Sequence, residues 1–356
     1  MIEKNMKSSI YKKTERGFAR DLKAERVLLL CDQNTVKFES AAQKILDKYV
    51  KMEYGGKHIV PDENALAEAK RAGQGCTAVL ALGSGTLNDL AKAVAQELNI
   101  FSAVYCTAPS MDGYASPVAA MIEGKNKVSR IVASPRMIFV DYDVLCDCPK
   151  NMVGAGAADI LGKYTCLADW LLAQRLTGES YRASVARKVL ASADAVSASA
   201  DELAENGREG IEKLTEALLL SGEAMAEAGN SRPASGSEHH MSHFIELDFL
   251  RRGKIPPLHG VTVGLGTLVS LKLYEKLPLL IGPVGKFDLP SESRIRDILK
   301  KLGCPVCYRD IGVSLETVRE MIENAHTIRE RFTILTALHQ RDMLRSLSEE
   351  IADLVW

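Results

Sequence analysis

The sequence carries no surplus of charge. Its 45 Lys+Arg stand against 46 Asp+Glu, a formal net charge of -1, so the basic footprint that nucleic-acid binding needs is missing. No long hydrophobic run is present either. Stretches such as Val27-Leu28-Leu29-Leu30 fall far short of the roughly 20 residues that cross a bilayer, which excludes membrane insertion by a helix. The opening MIEKNMKSSIYKKTERGF lacks the apolar core and the cleavage motif of a secretory leader. Its eight cysteines (31, 76, 106, 146, 148, 166, 304, 307) form no dense framework. Several lie in apolar segments, where a free thiol acts as a small hydrophobe, and a reducing cytoplasm fits that usage. Cys304-Pro-Val-Cys307 has no second pair to complete a metal site. What remains is ordinary globular composition, 46% hydrophobic and 26% charged over 356 residues, enough for two domains.

The first 150 residues alternate apolar runs with helical patterns. Val27–Cys31, His58–Val60, Thr77–Leu82, Ile100–Tyr105 and Met137–Val140 read as strands; Thr35–Tyr49, Asn64–Arg71 and a stretch ending near Leu98 read as helices. Uninterrupted apolar strands between helices predict a parallel sheet covered on both faces. Ala119–Ile122 and Lys127–Val132 flank Glu123-Gly124-Lys125-Asn126 as a β-hairpin. Beyond residue 150 strand-like runs vanish and apolar residues recur every three and four. Ala155–Leu176, Tyr181–Glu205, Gly210–Ala228, Ser237–Leu250, Val261–Leu277, Ser291–Leu302, Leu315–Ala325 and Arg331–Leu344 read as helices. The expectation is a Rossmann-like α/β domain over 1–150 and an all-helical domain over 151–356.

Between an apolar strand and a helix stands Gly83-Ser84-Gly85-Thr86-Leu87-Asn88-Asp89. Its glycines let the backbone turn tightly and approach a ligand, and the unpaired N–H groups of the following helix suit a pyrophosphate. A plain strand-to-helix turn reads the same way, and Thr86 with Asp89 forms a candidate capping pair. Asp32 ends the first strand. There a carboxylate accepts from a ribose hydroxyl and disfavours a 2′-phosphate, or else caps the turn before Thr35.

Four of the seven histidines, His239, His240, His243 and His259, lie within 21 residues. His239 and His243 share a helix face at i, i+4. Ser235-Gly236-Ser237-Glu238 matches a capping box ahead of that helix, and His259 follows Pro256-Pro257-Leu258 at the start of the next. Imidazoles at two helix starts can converge, and the missing third ligand should be an acid. Asp159, in a segment of small and apolar residues, needs a partner or a metal, with Lys163 one turn on. Two histidines and one aspartate leave a coordination position open, as catalytic sites do.

GSGTLNDLAK, TAPSMDGYAS, GAADILGKYT, SRPASGSEHHMSH and PPLHG, in that order, resemble the glycerol-1-phosphate dehydrogenase family. That family lies within the superfamily of iron-containing alcohol dehydrogenases, glycerol dehydrogenases and dehydroquinate synthases. The resemblance runs from about Val27 to about Thr267. It implies a dehydroquinate-synthase-like fold and reversible, NAD(H)- or NADP(H)-linked interconversion of dihydroxyacetone phosphate and sn-glycerol 1-phosphate, in phospholipid biosynthesis. One divalent ion per subunit, Zn2+ or Ni2+, would be held by Asp159, His239 and His259. His239 is preferred over His240 because its i+4 partner is His243. Gly83, Ser84, Gly85, Thr86, Leu87, Thr107, Ser110 and Ser116 would line the dinucleotide. Asp112 would contact substrate hydroxyls, His243 would supply a proton, and Arg232 with Lys163 would meet the phosphate. The implied partner is a small phosphorylated triose or polyol, and the chain is expected to be a homo-oligomer, most simply a dimer. A polyol dehydrogenase, a dehydroquinate-synthase-type lyase and a non-catalytic dinucleotide- or metal-binding protein stand as the alternatives.

Overall fold

The computed structural model describes residues 8–12, 22, 25–56, 59–124, 126–281 and 285–356. Contacts divide the chain into two compact units, 1–149 with 218–226, and 150–217 with 227–356.

In the first unit six strands form one parallel sheet. They are β1 (Ser9–Lys12), β2 (Arg26–Asp32), β3 (Lys48–Tyr54), β4 (Ala78–Gly83), β5 (Phe101–Cys106) and β8 (Met137–Val140), in the order β1-β8-β5-β4-β2-β3. Every residue of β4 is buried, which is why its text reads as an unbroken apolar run. In register, Leu28 lies beside Val79, Ala81 beside Val104, and Val104 beside Ile138. Val27, Leu29, Leu80, Leu82, Ala103, Tyr105 and Phe139 fill one core of the unit. The hairpin is present as β6 (Val118–Glu123) and β7 (Asn126–Ile131). The two crossover helices used below are α1 (Glu63–Ala72), capped by Asp62 accepting from the Ala65 N–H, and α2 (Gly85–Leu98).

Two expectations fail here. His58 lies outside the described residues, and Ile59 and Val60 are not strand; the strand is instead β3, which begins at Lys48, inside the helix expected to reach Tyr49. Lys51 and Glu53 alternate with Val50, Met52 and Tyr54 because the strand is the sheet's edge, half solvated, and the preceding helix shrinks to short turns over 36–45. β1, pairing in parallel with β8, had no signal strong enough to be read.

The second unit is helical. It contains α3 (Lys150–Leu161), α4 (Lys163–Thr177), α5 (Ala183–Ala198), part of α6 (Arg208–Ala228), α7 (Ser237–Arg251), α8 (His259–Ile281), α9 (Glu292–Lys301), α10 (Leu315–Asn324), α11 (Ile334–His339) and α12 (Leu344–Val355). Met241 and Ile245 of α7, Leu265 and Val269 of α8, Met321 of α10 and Ile351 of α12 meet in one core. Each such side chain contributes about 1.5–3 kcal/mol by leaving water. The helix expected over Arg331–Leu344 does not form as one piece. It splits into α11 and α12 around Asp342, whose φ of 55° is left-handed, and residues 328–332 run as a loop. Among the described residues no helix is long and apolar enough to cross a membrane.

Candidate metal centre and nucleotide loop

α8 lies against α3 and α7 because its glycines permit it. A Cβ on Gly260 would sit 1.8 Å from the Ala155 carbonyl oxygen, and one on Gly266 would sit 2.5 Å from that of Glu238. Only hydrogen fits at either place, so the small-residue texts of α3 and α8 are two halves of one contact. That contact brings Asp159 on α3, His239 on α7 and His259 on α8 together. One donor atom from each lies within 4.8 Å of the other two, the spread expected of residues that can share an ion. His239 Nε2 is 3.6 Å from Asp159 Oδ1, and the His239 and His259 rings are 5.2 Å apart between centroids.

Each imidazole is aimed from behind by a carboxylate. His239 Nδ1 is 2.8 Å from Glu238 Oε1, and His259 Nδ1 is 2.7 Å from Glu246 Oε1. A carboxylate on the far nitrogen fixes the tautomer and turns the Nε2 lone pair toward an ion, the usual support behind a metal-binding histidine. Glu238 is fully buried, and burial pushes its carboxyl up. Its Oε2 accepts from Thr165 and its Oε1 from the Gly236 N–H, so it also does the back-reaching half of a capping box. The other half is missing. Gly236, not Ser235, is the N-cap of α7.

Asp159 is wholly buried, which by itself would raise its pKa, yet Lys163, His239 and His259 together hold it below the ordinary carboxylate range. Lys163 Nζ donates to Asp159 Oδ1 at 2.9 Å and to the Ala234 carbonyl at 3.0 Å, with no exposed surface. His243 stands beside the cluster, its ring 5.6 Å from His259 and 6.3 Å from His239. His240 points elsewhere. It is fully buried, neither ring nitrogen has a hydrogen-bond partner among the described residues, and burial with Arg331, Arg329 and Arg232 nearby lowers its pKa to about 3. Of the two adjacent histidines, His239 is the one whose ring nitrogen lies with Asp159 and His259. Arg232 is spent on a bidentate pair with Glu179 and on the Phe332 carbonyl.

In the first unit β4 delivers Gly83 into a tight turn over Leu87, whose Cδ1 would lie 2.4 Å from an added Cβ. Ser84 caps α2, its Oγ accepting from the Gly85 N–H at 2.7 Å and meeting Ser110 Oγ at 2.5 Å. The expected Thr86–Asp89 pair does not form, because Asp89 accepts from the Ala120 N–H and pairs with Lys92. Lys92, buried on α2, also donates to the Gly113 and Val118 carbonyls, and Asn88 donates to Gly113. These bonds pin the loop that carries the buried Ser110 and Ser116, and the Thr107 N–H donates to Gly83 O at 3.2 Å. Asp112 accepts from Ser221 at 2.8 Å. Asp32 Oδ1 accepts from the N–H groups of Asn34 and Thr35, so it caps the turn at the end of β2. The turn after β4 and the turn after β2 lie at carboxyl ends of adjacent parallel strands, where open α/β sheets bind ligands.

Residues 6–149 match the family model described as iron-containing alcohol dehydrogenase. A glycerol-1-phosphate dehydrogenase [NAD(P)+] of Bacillus licheniformis is 36% identical over 282 residues, 76% of this chain and 69% of the relative. One from Sulfolobus acidocaldarius is 36% identical over 284 residues, covering 78% and 76%. The chain belongs to the glycerol-1-phosphate dehydrogenase family. Its backbone is similar to that of a probable glycerol dehydrogenase from Sinorhizobium meliloti, at a TM-score of 0.72 and 18% identity over 98% of each chain. For a glycerol-1-phosphate dehydrogenase family member the two supporting glutamates are the residues that the sequence reading missed. Glu246 was findable, being three after His243 and seven after His239 on one helix face.

Proposed function

We propose that this chain is an NAD(P)H-linked oxidoreductase that reduces dihydroxyacetone phosphate to sn-glycerol 1-phosphate, reversibly and with one divalent ion. The observation that carries it is the triad of buried Asp159 and His239 with half-buried His259, a carboxylate behind each imidazole, in a chain whose relatives are named glycerol-1-phosphate dehydrogenase [NAD(P)+]. The donor set suits Zn2+ or Ni2+, and those three residues would hold the ion. When bound, the ion supplies Lewis acidity at a substrate oxygen and the nicotinamide supplies a hydride.

The chain's own residues do the rest. The N–H groups at the start of α2, with Gly83, Ser84, Gly85, Thr86 and Leu87, cradle the pyrophosphate, and Thr107, Ser110 and Ser116 flank the dinucleotide. Asp32 keeps its second oxygen for a ribose hydroxyl, which favours NAD(H). Asp112 orients a substrate hydroxyl, and Ser221 fixes its rotamer. His243 holds the proton delivered to the substrate oxygen. Lys163 keeps Asp159 ionised and aimed. On this reading residues 1–150 bind the dinucleotide, residues 151–356 bind metal and substrate, and the enzyme works in the cytoplasm as a homodimer, supplying phospholipid biosynthesis.

The test is NADH oxidation by the metal-loaded protein with dihydroxyacetone phosphate and with dihydroxyacetone, followed by chiral identification of the product. Stoichiometric consumption of NADH, preference for the phosphorylated ketone and the sn-1 product are expected. Preference for the unphosphorylated ketone would make the chain a polyol dehydrogenase, and turnover without net NADH loss would make it a lyase.

A further inference from the structure

Behind His259 there is more than a carboxylate. Glu246 Oε1, 2.7 Å from His259 Nδ1, is also 3.3 Å from Ser242 Oγ and 3.3 Å from Thr262 Oγ1. Ser242 stands one turn before Glu246 on α7, and Thr262 one turn after His259 on α8. Their hydroxyls meet across the contact between the two helices at 2.6 Å, and neither residue has exposed surface. Ser242 Oγ lies 3.4 Å from His259 Nδ1 as well. Two buried hydroxyls, one from each helix, are therefore gathered on the same carboxylate oxygen that aims the imidazole.

Each hydroxyl brings one hydrogen. At 2.6 Å one of the two donates to the other, so a single hydrogen is left to leave the pair. It has two destinations. From Thr262 it reaches the His259 carbonyl at 2.8 Å, the ordinary back-bond of a helical threonine. From Ser242 it reaches Glu246 Oε1, by a chain in which Thr262 donates to Ser242 and Ser242 to the carboxylate. The second path is longer, but an ionised acceptor out of bulk solvent is the stronger one, and Glu246 is buried. Oε1 then receives the His259 N–H and the Ser242 O–H together. The last torsion of a glutamate is broad, so a further donor on the same oxygen narrows the aim of the carboxylate and of the imidazole in front of it.

We propose that Ser242 and Thr262 are a pair of positioning residues that act as one unit through Glu246. Their hydroxyl chain holds Oε1 on His259 Nδ1 and so sets the affinity of the triad for its divalent ion; this rests on the reading of Asp159, His239 and His259 as the ion's donors. Because one hydroxyl belongs to α7 and the other to α8, the aim of His259 depends on the approach of those helices at this point.

The experiment uses the full chain as wild type, Thr262→Val, Thr262→Ser, Ser242→Ala and the double variant Ser242→Ala/Thr262→Val. It reads Zn2+ affinity by competition with a chelator, and solvent exchange of the His259 Nδ1–H in the ion-free proteins by NMR. Thr262→Val keeps the shape of the side chain and removes its hydroxyl, whereas Thr262→Ser keeps the hydroxyl. Affinity should fall about 10-fold in Thr262→Val and in Ser242→Ala, and stay near wild type in Thr262→Ser. The double variant should bind no more weakly than the weaker of the two single variants, since a chain broken at either hydroxyl is already broken. Wild-type affinity in Thr262→Val, equal losses in Thr262→Val and Thr262→Ser, or losses that add in the double variant would each overturn the assignment. Should the wild type take up no ion, the reading of the triad fails instead. The exchange measurement then still decides the pair: a faster His259 N–H in Thr262→Val than in the wild type supports it, and equal rates overturn it.

Discussion

At the scale of single residues, the triad's chemistry depends on groups that would touch no substrate. Glu246 Oε1 sits 2.7 Å from His259 Nδ1, so its charge makes the far nitrogen a better donor. Replacing it with the isosteric amide keeps an acceptor and removes the charge. Glu246→Gln should therefore weaken divalent-ion affinity about 10-fold or more while leaving the fold intact, as read by competition with a chromogenic chelator. Affinity equal to wild type would deny Glu246 that role. Lys163 offsets the charge of Asp159 out of reach of bulk solvent, which is why an acid can be wholly buried there and remain ionised.

At the scale of elements, the site is a consequence of how closely α8 can approach α3 and α7. Gly260→Ala puts a methyl 1.8 Å from the Ala155 carbonyl oxygen, and backbone has to move. The expected cost is about 3 kcal/mol, with ion binding weakened in the same protein, measured by denaturant titration and metal analysis. An unaltered midpoint and full metal content would show that the contact is slack. Asp169 ties α4 to the start of α7, to Tyr274 of α8 and to the Ile334 N–H. Burial, aided by Glu238, raises its pKa from 3.8 to about 6. Between those values the folded protein binds more protons than the unfolded chain, so this group's contribution falls as pH rises from about 4 to about 6. Asp169→Asn should flatten that part of the Tm–pH profile; an unchanged slope would place the titration elsewhere.

The same scale explains what was legible beforehand. β4, its glycine turn and α2 could be read because full burial makes an unbroken apolar run and the turn requires glycine. β3 could not, since an edge strand alternates like a solvated helix face. Arg331–Leu344 looked helical by its apolar spacing, but Arg331 is drawn to Ser231 and Ser235 nearly a hundred residues earlier, and no local pattern encodes that. Asp159, His239 and His259 were readable as donor types, the two histidines at helix starts and Asp159 as an acid in small-residue, apolar text, with the family resemblance supplying the grouping. The glutamates behind them acquire meaning only when α7 and α8 are side by side.

At the scale of the whole molecule, the triad stitches three helices of the second unit together, so an ion that binds only the folded chain must stabilise it. At an ion concentration about 100 times Kd the gain is about 2.7 kcal/mol. Chelation should therefore lower Tm by roughly 5–10 °C for a unit of this size, and a divalent ion added back should restore it. A Tm indifferent to chelator would mean that no ion is held. The most direct measurement of the central claim is metal stoichiometry, by elemental analysis, of the purified wild type and of His259→Ala. The account predicts one ion per chain in the wild type and close to none in the folded variant, with NADH-linked reduction lost alongside it. Equal metal content in the two proteins would contradict it.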